Sequence, residues 1–94
     1  MEQLHLYNTA VADLAPLASC TNLEYLNLWG CRDVKSLAPL AALTKLKYLD
    51  CGACRSVESV GPLSRLTALQ HLSLYECLKI RDLSPLSGCV ELQR

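Results

Sequence analysis

The four prolines of the chain recur at one interval, 23 residues, at Pro16, Pro39, Pro62 and Pro85. Proline fixes φ and removes a backbone donor, so the chain makes the same restricted backbone step four times. A constant period of this length is the sequence signature of stacked supersecondary units. The architecture is therefore predicted to be an array of four copies of one unit.

The residue that opens each unit, Met1 in the first and a leucine in the others, sets the register of the array. The 94 residues divide into units 1–22, 23–45, 46–68 and 69–91, and 92–94 begin a fifth. The first unit is one residue shorter than the others, and the missing position lies between Leu6 and Val11. With that gap, positions 1, 4, 6, 9, 12, 15, 18 and 21, numbered from the opening residue, are almost always Leu, Val, Ile or Cys. One unit cannot bury eight such side chains alone, whereas stacked units bury them against their copies. We therefore predict a single domain over 1–94.

Within each unit, positions 3 to 7 alternate in polarity, which is typical of a half-buried strand. The rest of the unit returns the chain to the start of the next strand, so the strands should be parallel. The segments that open at proline, such as PLAAL, favour a short helical or 3₁₀ turn with proline at its first position. Of the residues before the prolines, only Ser84 is a good cap.

The strings LEYLNLWGCRDVKSLAPLAALTK, LKYLDCGACRSVESVGPLSRLTA and LQHLSLYECLKIRDLSPLSGCVE resemble the leucine-rich repeat. They match its consensus L-x-x-L-x-L-x-x-N/C-x-L at nearly every fixed position, over the whole chain. The proline–leucine pair looks like internalin-type repeats, and the cysteine at position 9 looks like cysteine-containing and protist arrays. The resemblance implies an α/β solenoid, a right-handed superhelix with a short parallel sheet on the concave face and turns or 3₁₀ segments on the convex face.

All six cysteines occupy positions that the repeat predicts to be buried, where free cysteine acts as a small hydrophobe with a weak donor. At position 9 the S–H can face the backbone of the turn that leaves the strand. Cys51 and Cys54 form a C-x-x-C pair, a redox or metal pattern elsewhere. Since the repeat explains both, we predict no disulfide, metal or cofactor, and buried free thiols favour a reducing, intracellular compartment. The cysteines are Cys20, Cys31, Cys51, Cys54, Cys77 and Cys89.

Positions 3, 5 and 7 lie between the inward leucines and face away from the core. They hold all five aromatic residues and both histidines of the chain. Tyrosine and tryptophan are enriched in interface hot spots, so this face is predicted to bind a protein partner. The candidate contacts are Tyr7, Tyr25, Trp29, Tyr48 and Tyr75 as aromatic residues, with His5, Asn27, Asp50 and His71 as polar ones.

A second explanation stays open for these aromatic residues. Strand faces favour aromatics in general, and stacking of Tyr25 on Tyr48 would support the sheet without any ligand. Gly52 interrupts position 7 between Trp29 and Tyr75, and either leaves a notch for a partner's side chain or has no functional meaning. The alternative function is therefore a structural spacer within a longer array, with no ligand of its own.

Catalysis is not expected, although Asp50, His71 and Ser73 match a hydrolase triad by residue type. A triad needs the histidine between the other two groups, and an open sheet offers no oxyanion hole. Nine basic and nine acidic residues cancel, which argues against a nucleic-acid partner. There is no apolar run of membrane-spanning length.

Both ends of the chain keep the repeat pattern. The opening MEQLHLYNTA already follows it, so we expect no targeting peptide. Solenoids normally carry polar terminal units, and these ends show none. We therefore expect a segment of a longer array, which in isolation risks end-to-end self-association through its uncapped units.

Overall fold

The structure is a computed structural model that describes residues 2–88. Met1, Cys89 and the fifth unit at 92–94 lie outside the described residues. Each unit contributes one strand and one 3₁₀ turn. The strands are β1 (Glu2–His5), β2 (Leu23–Asn27), β3 (Tyr48–Asp50) and β4 (His71–Ser73), and the 3₁₀ turns are η1 (Ala15–Ser19), η2 (Ala38–Ala42), η3 (Gly61–Arg65) and η4 (Ser84–Gly88).

The four strands form one parallel sheet in chain order, β1-β2-β3-β4, as the repeat predicts. The register places equal repeat positions side by side. Tyr25 lies opposite Tyr48, and Tyr48 lies opposite His71. Because side chains alternate along a strand, this register puts one set of repeat positions in the core and the other outside it.

The strands end at position 5, two residues earlier than the alternation predicts. Beyond that point the N–H groups of Trp29 and Gly52, at position 7, bond to the side chains of Asn27 and Asp50, two residues back. At position 8 the backbone is left-handed in every unit, with φ of 56° at Asn8, 75° at Gly30, 57° at Ala53 and 55° at Glu76. The inter-unit hydrogen bonds nevertheless continue past the strand ends, as from the Leu28 N–H to the Asp50 carbonyl at 2.7 Å. The backbones of neighbouring units therefore stay in register up to position 8.

Each 3₁₀ turn begins one residue before its proline, and its hydrogen bonds join residues three apart, as from the Leu40 N–H to the Leu37 carbonyl at 2.9 Å. The prediction that Ser84 caps its turn is wrong, because Ser84 is the first residue of that turn. The N–H of the first residue of each turn instead donates to the side chain at position 14, which is an aspartate or serine in every unit. That side chain binds the N–H two residues on, at 2.8 Å from Asp13, 3.1 Å from Ser36, 3.0 Å from Ser59 and 2.9 Å from Asp82.

The core lies between the sheet and the 3₁₀ turns, and strands contact strands while turns contact turns. It is a column of aliphatic side chains, with Leu26, Leu40 and Leu43 fully buried. Burying one leucine side chain contributes about 1.5–3 kcal/mol, and each unit depends on its neighbours for that burial.

The position-9 thiols bond to backbone, as expected from the sequence. The thiols of Cys31, Cys54 and Cys77 donate to the carbonyls of Leu6, Leu28 and Cys51 in the preceding unit, at 3.0, 3.0 and 2.9 Å. The described cysteines are all free, and four of them are buried as predicted, but the prediction is wrong for Cys20, which is only half-buried. Each of the position-9 thiols therefore joins two units.

Candidate functional site

Four rings form a continuous row across the sheet, here termed the aromatic strip: His5, Tyr25, Tyr48 and His71. Ring centroids lie 4.9 Å apart between His5 and Tyr25, and 5.3 Å apart between Tyr48 and His71. Between Tyr25 and Tyr48 the distance is 4.3 Å, with the planes within 7° of parallel. Parallel strands lie about 4.8 Å apart, so the register that pairs equal positions brings the rings of Tyr25, Tyr48 and His71, all at position 3, close together. His5 is at position 5, opposite Asn27, and contacts Tyr25 diagonally across the strands.

The two tyrosines of the strip are half-buried, because each covers a face of the other. Burial raises the pKa of the Tyr48 phenol, and the neighbouring Tyr25, the Asp50 carboxylate and a hydrogen bond with Tyr25 raise it further. Tyr48 therefore stays a neutral phenol. What these tyrosines offer to a ligand is ring edges and hydroxyl groups, since their facing surfaces are occupied.

The exposed aromatic surface lies at position 7 instead. Tyr7, Trp29 and Tyr75 are 56%, 39% and 65% exposed. A fully buried ring would have no surface left for a partner, whereas these three combine an apolar body with a polar tip at the protein surface. Among the predicted aromatic contacts they are the most accessible to a ligand.

Gly52 does not leave the notch that the sequence suggested. A Cβ at this glycine would lie 2.5 Å from Cδ1 and 2.8 Å from Nε1 of Trp29. The indole therefore fills the space that a side chain at Gly52 would take. The glycine lets the indole pack against the next unit. The sequence alone did not predict this role of Gly52.

Asn27 and Asp50 have a local structural role. Each side-chain Oδ1 accepts a hydrogen bond from the N–H two residues on, at 3.0 Å from Trp29 and 2.8 Å from Gly52. Such turns bend the chain at the end of a strand. These two residues were predicted as polar contacts, and the structure shows that they hold the backbone of position 7.

The triad-like residues do not assemble into a catalytic site. Asp50 lies opposite Ser73, while His71 lies opposite Tyr48 and tilts its ring against it. Within residues 2–88 no hydrogen bond joins Asp50, His71 and Ser73. In the same part of the chain, no three His, Cys, Asp or Glu side chains are grouped so that they could hold a metal ion.

The comparisons with known proteins agree with this geometry. A family model described as Leucine Rich repeats (2 copies) matches residues 1–41. The structure superposes on an internalin (inlF) from Listeria monocytogenes with a TM-score of 0.87 and 36% sequence identity, over 94% of this chain and 25% of that one. This chain belongs to the leucine-rich-repeat family. An internalin C2 (inlC2) from the same organism is similar to this leucine-rich-repeat chain too, with a TM-score of 0.85, 32% identity, 97% coverage of this chain and 39% of that one.

The leucine-rich-repeat chain thus spans 25% and 39% of the lengths of these two internalins. A search of curated proteins gives no match. The fold is a leucine-rich-repeat solenoid with its parallel sheet on the concave side and 3₁₀ turns on the convex side. Repeat proteins of this class are typically interaction modules rather than enzymes. No helix within residues 2–88 has the length and apolarity needed to cross a membrane.

Proposed function

We propose that this chain is a non-catalytic module that binds a protein partner on the face of its sheet. The observation that carries the proposal is the segregation of ring side chains. The chain has no phenylalanine, its core is aliphatic, and its five aromatic residues and two histidines all fall at positions 3, 5 and 7. The polar tips of these rings suit a surface that contacts both water and a partner.

The exposed rings and the stacked rings of this face have different proposed roles. Tyr7, Trp29 and Tyr75 expose large areas and are the proposed anchors. The stacked pair Tyr25 and Tyr48 lies at position 3 of the same face and presents hydroxyl groups. Amphipathic rings held in place by neighbours lose little conformational freedom on binding, which is why they dominate interface energetics.

The second candidate, a spacer without a ligand, is favoured by one observation. Tyr25 and Tyr48 stack on each other, and that stacking accounts for their presence without any partner. It does not account for Tyr75, whose side chain is 65% exposed and makes no ring contact among residues 2–88. Exposed rings of this kind add nothing to a spacer.

Site-directed photocrosslinking in an extract of the source cells tests the proposal. A photoreactive phenylalanine analogue would replace Tyr7 or Tyr75 in one set of chains and Ser64, on the exposed side of η3, in the control chain. We expect one protein to be crosslinked from both tyrosine positions and not from Ser64. The same product from all three positions, or none from either tyrosine, would contradict binding on the sheet face.

Substitution of the anchors then gives the energetic test on the identified partner. Trp29→Ala and Tyr75→Ala should each weaken binding by about 2 kcal/mol, roughly thirtyfold in Kd, as for interface hot spots. Leu78→Ala is the matched control, because Leu78 is 72% exposed but lies outside positions 3, 5 and 7. Unchanged affinity in both aromatic variants, with circular dichroism showing an intact fold, would favour the spacer.

A further inference from the structure

The sheet face that carries the aromatic residues holds a single formal charge. Across the four units, positions 3, 5 and 7 contain no Lys, Arg or Glu, and Asp50 is their one acidic residue. Asp50 lies in β3, half-buried, two residues after Tyr48 and on the same face of the sheet. One carboxylate among rings is therefore the main electrostatic feature of the proposed binding face.

The Asp50 carboxylate lies beside the indole of Trp29. A Cβ placed at Gly52 would lie 2.8 Å from the indole Nε1 and 3.1 Å from Oδ1 of Asp50, so both groups border the same small space. Within residues 2–88, no hydrogen bond joins the indole N–H to this carboxylate. The indole is 39% exposed, which leaves ring surface next to the carboxylate open to a ligand.

Most of the hydrogen-bonding capacity of Asp50 is unused inside the chain. Its Oδ1 accepts the Gly52 N–H at 2.8 Å. No cationic side chain among residues 2–88 forms an ion pair with Asp50, since the pairs in this part of the chain join Lys47 to Glu24 and Arg55 to Glu76. A carboxylate offers about four acceptor sites on its two oxygens. The remaining sites are therefore available to a donor from another molecule.

We propose that Asp50 and the Trp29 indole together receive an arginine side chain of the protein partner. The inference rests on the proposed function and names the chemistry of the residue that the partner contributes. A guanidinium is planar, so it can stack on an indole while its N–H groups donate to a carboxylate. A lysine ammonium has no plane to stack and is more strongly hydrated. The pair therefore favours arginine over lysine.

N-acetylarginine amide is a direct probe of this site, because Trp29 is the one tryptophan of the chain and its fluorescence reports binding. N-acetylcitrulline amide is the matched control ligand, since its urea group has nearly the same shape without the charge. In low-salt buffer the arginine derivative should change the Trp29 emission saturably and bind about tenfold more tightly than the citrulline derivative. Equal binding of the two, or tighter binding of N-acetyllysine amide, would overturn the proposal.

Asp50→Asn removes the charge and keeps the turn, because Asn27 makes the same hydrogen bond to the Trp29 N–H, at 3.0 Å. This variant should bind the arginine derivative about tenfold more weakly than the unaltered chain. Unchanged affinity, with circular dichroism showing an intact fold, would refute the site.

Asp13→Asn is the control variant. Asp13 accepts the N–H of Ala15, two residues on, at 2.8 Å, so it forms the same local hydrogen bond as Asp50. It lies outside positions 3, 5 and 7, and the variant should bind the arginine derivative as the unaltered chain does. A loss equal to that of Asp50→Asn would refute the proposal, because the effect would then come from overall charge.

The protein captured by photocrosslinking separates this inference from the proposed function. If that protein binds the Asp50→Asn chain as tightly as the unaltered one, the arginine contact is refuted and the proposed function stands. If the arginine derivative binds saturably and no protein is captured, the proposed function is refuted and the arginine site stands without a protein partner.

Discussion

Gly30→Ala tests how the left-handed turn at position 8 shapes the solenoid. Gly30 has φ of 75°, where an alanine costs about 1–2 kcal/mol. The reduced entropy of the unfolded chain offsets about 0.4–1 kcal/mol of that cost. The new Cβ would also collide with Oδ1 of Asn8 and come within 3.3 Å of its Cγ. Turning the Asn8 side chain away from its rotamer adds about 0.5–1.5 kcal/mol.

The expected loss for Gly30→Ala is therefore about 2 kcal/mol in the free energy of unfolding, of which about half comes from the collision. Urea unfolding followed by far-ultraviolet circular dichroism, at one low protein concentration, measures it. In an Asn8→Gly background the same substitution should cost only about 1 kcal/mol, because the backbone term remains and the collision is gone. Equal losses in the two backgrounds would refute the steric reasoning. No loss in either background would show that a left-handed backbone costs alanine nothing at this position. Ala53, with φ of 57°, shows that the turn can form around an alanine, so the Gly30→Ala chain is expected to fold.

Three further substitutions probe other parts of the molecule. Leu49→Ala, at a residue 1% exposed, should cost about 3 kcal/mol in the same unfolding assay, because neighbouring units fix the walls of the cavity; a loss below about 1 kcal/mol would contradict a tightly packed column. Gly52→Ala should displace the Trp29 indole and shift its fluorescence emission to longer wavelength, whereas Gly61→Ala, whose Cβ meets only the Ser59 hydroxyl oxygen at 3.2 Å, should leave emission unchanged. Hydrogen bonds from the backbone and side chain of Ser84 lower the pKa of Asp82 below its ordinary value of 3.8. That contribution to stability is present above the ordinary pKa and lost as the pH falls through the lowered one, so Asp82→Ser should flatten the acid side of the urea-midpoint profile.

The periodic leucines and prolines were enough to predict the parallel sheet, the 3₁₀ turns and the buried thiols. Those features depend on which repeat positions are apolar, and a column of identical units has only one way to bury them. The length of the strands was not predictable in this way. Alternation continues to position 7, but the N–H groups of Trp29 and Gly52, at position 7, bond to side chains of their own unit. The left-handed backbone at position 8 was not predictable either, because Ala53 and Glu76 do not favour that conformation.

For the candidate face, the sequence predicts where the side chains lie on the sheet but not which of them pack against each other. Its position on the sheet follows from alternation, and the stacking of Tyr25 on Tyr48 follows from the register. The packing of Trp29 against Gly52 could not be read from the sequence, because it depends on the direction of one side chain toward the next unit. The position-14 acceptors were visible as a column of aspartate and serine, yet they lie two residues before the expected cap.

Asn27 and Asp50 connect the fold to the proposed binding face. Their side chains accept hydrogen bonds from the N–H groups of Trp29 and Gly52, so they fix the backbone from which the indole and its glycine partner project. A substitution that removes the acceptor at either residue would disturb the position of Trp29 as well as remove a polar group. Loss of binding in such a variant would therefore not identify the residue as a contact. The exposed rings of Tyr7 and Tyr75 carry no such structural duty among residues 2–88, which makes them the positions where a change in affinity reports on the interface itself.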